Sequence, residues 1–144
     1  MLKVGEMTAD EMRALLQHKG FGHLGCARDD HPYVVPMHYT FDGQDLYFFT
    51  TEGTKTEFIA ANSEVCFQVE EIADTAHWQS VMVLGRARRL TKSDEVERAM
   101  RLITEKNPTL TPALNKTDIG AWHRWNNIAL YCVRPTAIYG RKTV

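Results

Sequence analysis

Residues 32–51 read PYVVPMHYTFDGQDLYFFTT. Two runs of β-branched and aromatic residues flank Asp42-Gly43, and a D-G pair between such runs signals a hairpin of antiparallel strands. Parallel strands need a crossover of roughly a dozen residues or more, so this short connection excludes a doubly wound parallel sheet. Pro36 interrupts the first run. Lacking an N–H, it marks an edge strand or a bulge, a place where the sheet opens.

Working outward, HLGCA (23–27) is a further strand joined through RDDHP (28–32), so the sheet is expected to begin as an antiparallel meander. Ahead of it, Thr8 and Glu11 make a capping box for a helix with Met7, Met12, Leu15 and Leu16 on one face. On the other side, FFTTEGTKTEFIAAN (48–62) hands a strand to a two-turn helix that Asn62 ends. EVCFQVE (64–70) and SVMVLGRARRL (80–90) are strands separated by the polar segment EIADTAHWQ (71–79). Ser93, Asp94 and Glu95 open a helix with Val96, Ala99, Met100 and Ile103 at helical spacing, which Pro108 ends. IALYCVRPTAIYG (128–140) supplies a last strand, or a strand pair broken at Pro135. The expected architecture is mainly β or α+β. It is a single domain over residues 1–144, with six antiparallel strands in a small barrel and short flanking helices.

Composition narrows the function. A formal net charge of -1 with mixed signs gives no basic face, which argues against nucleic acid or a membrane surface as partner. No run approaches the ~20 apolar residues of a membrane span, and the first residues lack the apolar core of a signal peptide. A soluble, cytoplasmic protein is expected. Cys26, Cys66 and Cys132 each sit in an apolar strand-like run, as reduced core thiols do. The six histidines show no HExxH spacing and no paired cysteines accompany them, so no metal site is expected.

The chemistry concentrates between residues 50 and 56. Thr50, Thr51, Thr54 and Thr56 surround Gly53 and Lys55 at a strand-to-helix turn. Hydroxyls there satisfy orphan amides. The same amides, the helix dipole and a lysine also favour an anion such as phosphate. Spacing alone leaves both readings open, a well-capped turn or an anion cradle.

In this order the motifs resemble the pyridoxamine 5'-phosphate oxidase-like flavoproteins of the FMN-binding split-barrel fold. The order is a Pro-aromatic-Val-x-Pro strand, a D-G hairpin, a strand ending in hydroxyls, a G-x-K turn into a short helix, and WQSVMVLGRA at 78–87. The resemblance runs from about Gly22 to Leu90 and more loosely to Gly140. It implies an FMN phosphate held by Lys55 and Thr56, with Thr50 and Thr51 reaching the ribityl chain or ring edge. Val35, Pro36, Met37 and His38 would lie at the flavin ring, and Gln79 and Ser80 would stand where relatives often carry Arg-Ser beside the phosphate. It also implies a homodimer with two flavin sites at the subunit interface, with Trp122 and Trp125 as interface or lid residues.

Two departures bear on the reaction. Authentic oxidases of pyridoxamine phosphate carry an Arg-x-His near the C-terminus, whereas this chain ends YGRKTV, which argues against vitamin B6 oxidation. Nitroimidazole-resistance relatives carry a histidine just before the lysine of the turn, where this chain has Thr54. The expectation is an FMN-dependent reductase or oxidase of a small-molecule substrate, with His38 as proton donor because an imidazole exchanges protons near neutral pH. Rival readings are a flavin module without turnover and a haem-binding split barrel. A deazaflavin is a further cofactor alternative.

Overall fold

Asp42-Gly43 does turn the chain: Gly43 takes φ +99°, and the Asp42 carboxylate accepts the amides of Gln44 (2.8 Å) and Asp45 (2.7 Å). The computed structural model describes residues 1–106 and 128–144. They form one antiparallel sheet of eight strands: β1 (Val4–Glu6), β2 (Phe21–Arg28), β3 (His31–His38), β4 (Thr40–Phe41), β5 (Leu46–Thr51), β6 (Glu64–Asp74), β7 (His77–Arg89) and β8 (Ile128–Thr143). Helices α1 (Ala9–His18), α2 (Thr54–Ala61) and α3 (Ser93–Lys106) interrupt them. The order across the sheet is β3-β2-β6-β7-β8-β5-β4, with β1 paired to the far end of β8. The mainly β split-barrel class is as expected. The two strands beyond the expected six, β1 and β4, span three and two residues, too short for any periodicity to announce them.

The expected meander does not close. β2 pairs with β3, but β3 lies at one edge of the sheet and β4 at the other, so β3 never pairs with β5. The chain crosses between these edges at Tyr39. Its N–H donates to Gly20 O (3.0 Å), its hydroxyl donates to Leu16 O (2.8 Å), and its ring is buried. Residues 31–41 therefore span the opening of the barrel, and the D-G turn holds only β4 against β5. Pro36 sits on an edge strand, opposite His23 and without a bulge, so its missing N–H costs no ladder bond.

Two other expectations change. The polar segment 71–79 is strand on both sides of a turn at 75–76: β6 and β7 continue into an exposed hairpin, with a bulge between Ile72 and Asp74 and His77 Nδ1 2.9 Å from Asp74 Oδ1 at its tip. Backbone pairing there needs no apolar residues. Pro135 does not break β8. Gly85 pairs with Pro135 and Leu84 with Ala137, so Thr136 is an extra residue that absorbs the proline. An added Cβ at Gly85 would sit 2.5 Å from Arg134 O, so only glycine allows this approach.

The helices follow their capping chemistry. Thr8 Oγ1 accepts from the Glu11 amide (3.2 Å) and the Glu11 carboxylate accepts from the Thr8 amide (2.9 Å). All four apolar residues expected on α3 are buried, whereas Pro108 lies outside the described residues. The burial is unequal across the sheet. Strand β5 and the first part of β8 are covered on both sides: Leu46, Phe48, Tyr131 and Val133 face the barrel interior, and Tyr47, Leu130 and Cys132 pack under α3. Strands β2, β3, β6 and β7 bury one face only. Their open face leaves Val34 66%, Phe21 49% and Met82 40% exposed, a run of apolar side chains in water. Cys26 and Cys132 are buried thiols as expected, but Cys66 is half-buried on this open face, and all three are free.

Candidate functional site

The turn into α2 is capped by Gly53, not by a threonine. Glycine has no side-chain oxygen to offer the first helical amides, and a Cβ built on it would meet nothing within 4 Å. The helix start is therefore open. Thr56 closes the turn from inside: its buried hydroxyl accepts from Gly53 N–H and donates to Gly53 O, both at 2.9 Å. What Thr56 has left for an anion is its backbone amide. Lys55 is the second helical residue and makes no ion pair among the described residues. Thr50 is buried and donates to Thr51 O (3.3 Å), while Thr51 is exposed at the strand end. Glu52 would repel an anion here, but Arg89 forms an ion pair with it, and that contact holds the Glu52 carboxyl below its usual range. The cation left at the turn is the Lys55 ammonium, beside helix amides that favour an anion, although the exposed Glu57 also stands in the first turn.

Alternation divides the β3 residues. Val35 and Met37 turn toward the barrel core, and Pro36 and His38 lie on the open face. His38 packs edge-on against Phe21, with ring centroids 4.8 Å apart. As an edge strand, β3 also presents main-chain donors and acceptors along its outer side. Between this strand and the end of α2, the open face holds a groove of about 750 Å³ lined by Gly25, Val34, Cys66 and Leu84, with Asn62 and Arg86 at its rim.

The expected site residues fall into two groups within one chain. Thr50, Thr51, Lys55 and Thr56 gather at one end of the barrel, where Arg89 closes β7. Ser80 and Gln79 stand at the other end of β7, roughly 30 Å away along extended strand. His38 shares their end, because it pairs with Phe21 while Ser80 pairs with Glu70. Gln79 is engaged by Glu71 (3.3 Å). Trp122 and Trp125 lie outside the described residues. His23 and Gln68, which sequence reasoning does not single out, occupy the same open face. The available signal is polar residues at period two in otherwise apolar strands.

Comparison with known proteins gives this geometry a lineage. A family model described as pyridoxamine 5'-phosphate oxidase matches residues 8–142. An uncharacterized protein of Rhizobium meliloti (strain 1021) is 36% identical over 84 residues, a match that covers 58% of this chain and 56% of that protein. This chain thus spans just over half the length of that relative. A crystal structure of a FAD-binding protein from Mesorhizobium loti has a TM-score of 0.77 at 26% identity, covering 100% of this chain and 99% of that one. A FAD-binding protein from Mycobacterium smegmatis shares the fold, with a TM-score of 0.72 at 24% identity over 96% of this chain and 97% of its own. The motif order, the eight-stranded sheet split between β3 and β4, and a match running through nearly the whole chain agree: the chain belongs to the pyridoxamine 5'-phosphate oxidase family.

Proposed function

We propose that the chain is a flavin-binding oxidoreductase that holds FMN at the interface of a homodimer and acts on a small molecule. The observation that carries this reading is the open, glycine-capped start of α2 beside Lys55, which makes no ion pair among the described residues. One lysine and the first helical amides suit a single phosphate group. Membership of the family supports a flavin, as does the similarity to the Mesorhizobium loti protein, itself described as FAD-binding. A bound flavin would supply hydride or electron transfer. Across the two subunits, the protein's residues would anchor the phosphate at Lys55, receive the ring along the edge of β3, and offer a proton from His38, which Phe21 steadies.

The same geometry supports a dimer. Gln79 and Ser80 are too far along β7 to serve the cradle of their own chain, so a role at the phosphate would require a second subunit. The apolar open face is the surface such a subunit would cover.

The absorbance spectrum of the purified protein tests the cofactor. Bands near about 370 and 450 nm are expected of a flavin, a Soret band near about 400 nm of haem, and one band between the flavin maxima of a deazaflavin. Mass spectrometry of the heat-released cofactor then separates FMN from FAD. A protein that neither carries nor binds FMN, or that runs as a single subunit on gel filtration, contradicts the proposal.

A further inference from the structure

One polar cluster crosses the open face, and its hydrogen bonds place a proton. Gln68, on β6, is at the centre. Its Nε2 donates to Ser80 Oγ (2.9 Å) and to Glu70 Oε2 (3.1 Å), and its Oε1 lies 3.3 Å from His23 Nδ1. An ionised carboxylate only accepts, so Glu70 dictates which end of the amide carries the hydrogens. A reversed amide would set its oxygen against the Glu70 carboxylate. Oε1 therefore faces His23, and His23 must supply the proton between them. With Nδ1–H donating to Oε1, a neutral imidazole has its lone pair on Nε2, which makes no hydrogen bond among the described residues.

The position of that lone pair is set by register. His23 lies directly opposite Pro36 on one side and Gln68 on the other, with Met82 next in the row, so the imidazole stands on the open face between an apolar ring and the amide that it meets. Gly25 and Cys66, in the groove, are one row away on the same face. A polar atom left unpaired on a face that becomes covered is costly, whereas one met by a donor gains a hydrogen bond.

We propose that His23 is a ligand-binding residue of the flavin site, presenting Nε2 as acceptor to an N–H of the flavin ring, with Gln68 and Glu70 as the residues that position it. This rests on the flavin reading above, because it needs the ring near Pro36.

The test is ¹⁵N-resolved NMR of the histidine ring nitrogens in the full-length protein, before and after saturation with FMN. His23 is expected to show the Nδ1–H tautomer in the free protein, and its Nε2 resonance to move when FMN binds. Gln68→Leu should release the tautomer preference. Both Gln68→Leu and His23→Ala should weaken FMN binding about 2- to 10-fold, the range of one neutral hydrogen bond. An Nε2–H tautomer in the unsubstituted protein, or an Nε2 resonance unmoved by bound FMN, overturns the assignment. If FMN binds and His23 does not respond, only this inference falls; if FMN does not bind at all, the flavin reading falls with it.

Discussion

The phenol of Tyr39 donates a hydrogen bond to the main-chain oxygen of Leu16 at 2.8 Å, tying the last turn of α1 to the point where the chain passes from one edge of the sheet to the other. The ring also packs edge-on against Phe67, with centroids 5.2 Å apart. Tyr39→Phe keeps that packing and removes the donor from a buried carbonyl, which should cost about 1–3 kcal/mol. The urea midpoint checks this, and an unchanged midpoint would mean that the crossing is held by packing alone.

The glycines of β2 and of the α2 turn should respond in opposite ways to alanine. At Gly22 a Cβ would lie 2.4 Å from Gln68 O, a backbone atom that moves only with its strand, so Gly22→Ala should destabilise by about 1–3 kcal/mol. Gly53 is extended and a Cβ there meets nothing within 4 Å, so Gly53→Ala should stay within about 0.5 kcal/mol of the parent. At Gly25 the obstacle is Cys66 Sγ at 2.6 Å, so Cys66→Ala should recover part of the loss caused by Gly25→Ala. Thermal unfolding of the four single variants and the Gly25→Ala, Cys66→Ala double variant supplies the comparison.

Lys55→Ala should weaken FMN binding about 10- to 150-fold, the worth of one charge-assisted hydrogen bond of roughly 1.5–3 kcal/mol. Quenching of flavin fluorescence on titration measures it. An affinity equal to that of the parent would place the phosphate elsewhere.

Acid should loosen the junction between α1 and the C-terminal strand. Hydrogen bonding from Lys142, then from the Thr8 amide, holds the Glu11 carboxyl below its ordinary value of 4.5. A depressed folded value means the contribution is fully present above the unfolded value and is lost as pH falls through the lower folded one. Melting temperature should therefore drop below about pH 4.5, and Glu11→Gln should flatten that part of the profile. An identical acid limb in the variant would assign the drop to other carboxylates, such as Glu71 beside Lys19 or Asp74 beside His77.

In the proposed dimer, charge placed on the open face should separate the subunits without unfolding them. Val34 and Met82 are 66% and 40% exposed in the single chain, so Val34→Glu and Met82→Glu remove little internal packing. Gel filtration should shift from two subunits to one, with flavin retention falling in parallel. A variant that keeps both its mass and its flavin would show that the interface lies on another surface.

Much of this was legible from residue order. The capping box at Thr8 and Glu11, the stop at Asn62, the buried stripe of α3 and the edge position of Pro36 each depend on a few neighbouring residues, and each stands as expected. Candidate site residues could also be picked out from their motifs. Their separation to opposite ends of β7 was hidden, because motif order carries no distance.

What the sequence by itself determined is the kind of each longer element and the antiparallel sense of the sheet, since period, caps and turn residues act within a few positions of one another. Only the tertiary structure decided how strands distant in sequence register. That register sends residues 31–41 from one sheet edge to the other, covers β5 on both sides while leaving the other face of β2, β3, β6 and β7 open, and brings His23 to Gln68 across 45 positions of chain. The physical reason is that each pairing is chosen by the packing of the whole barrel, which no local run of residues contains.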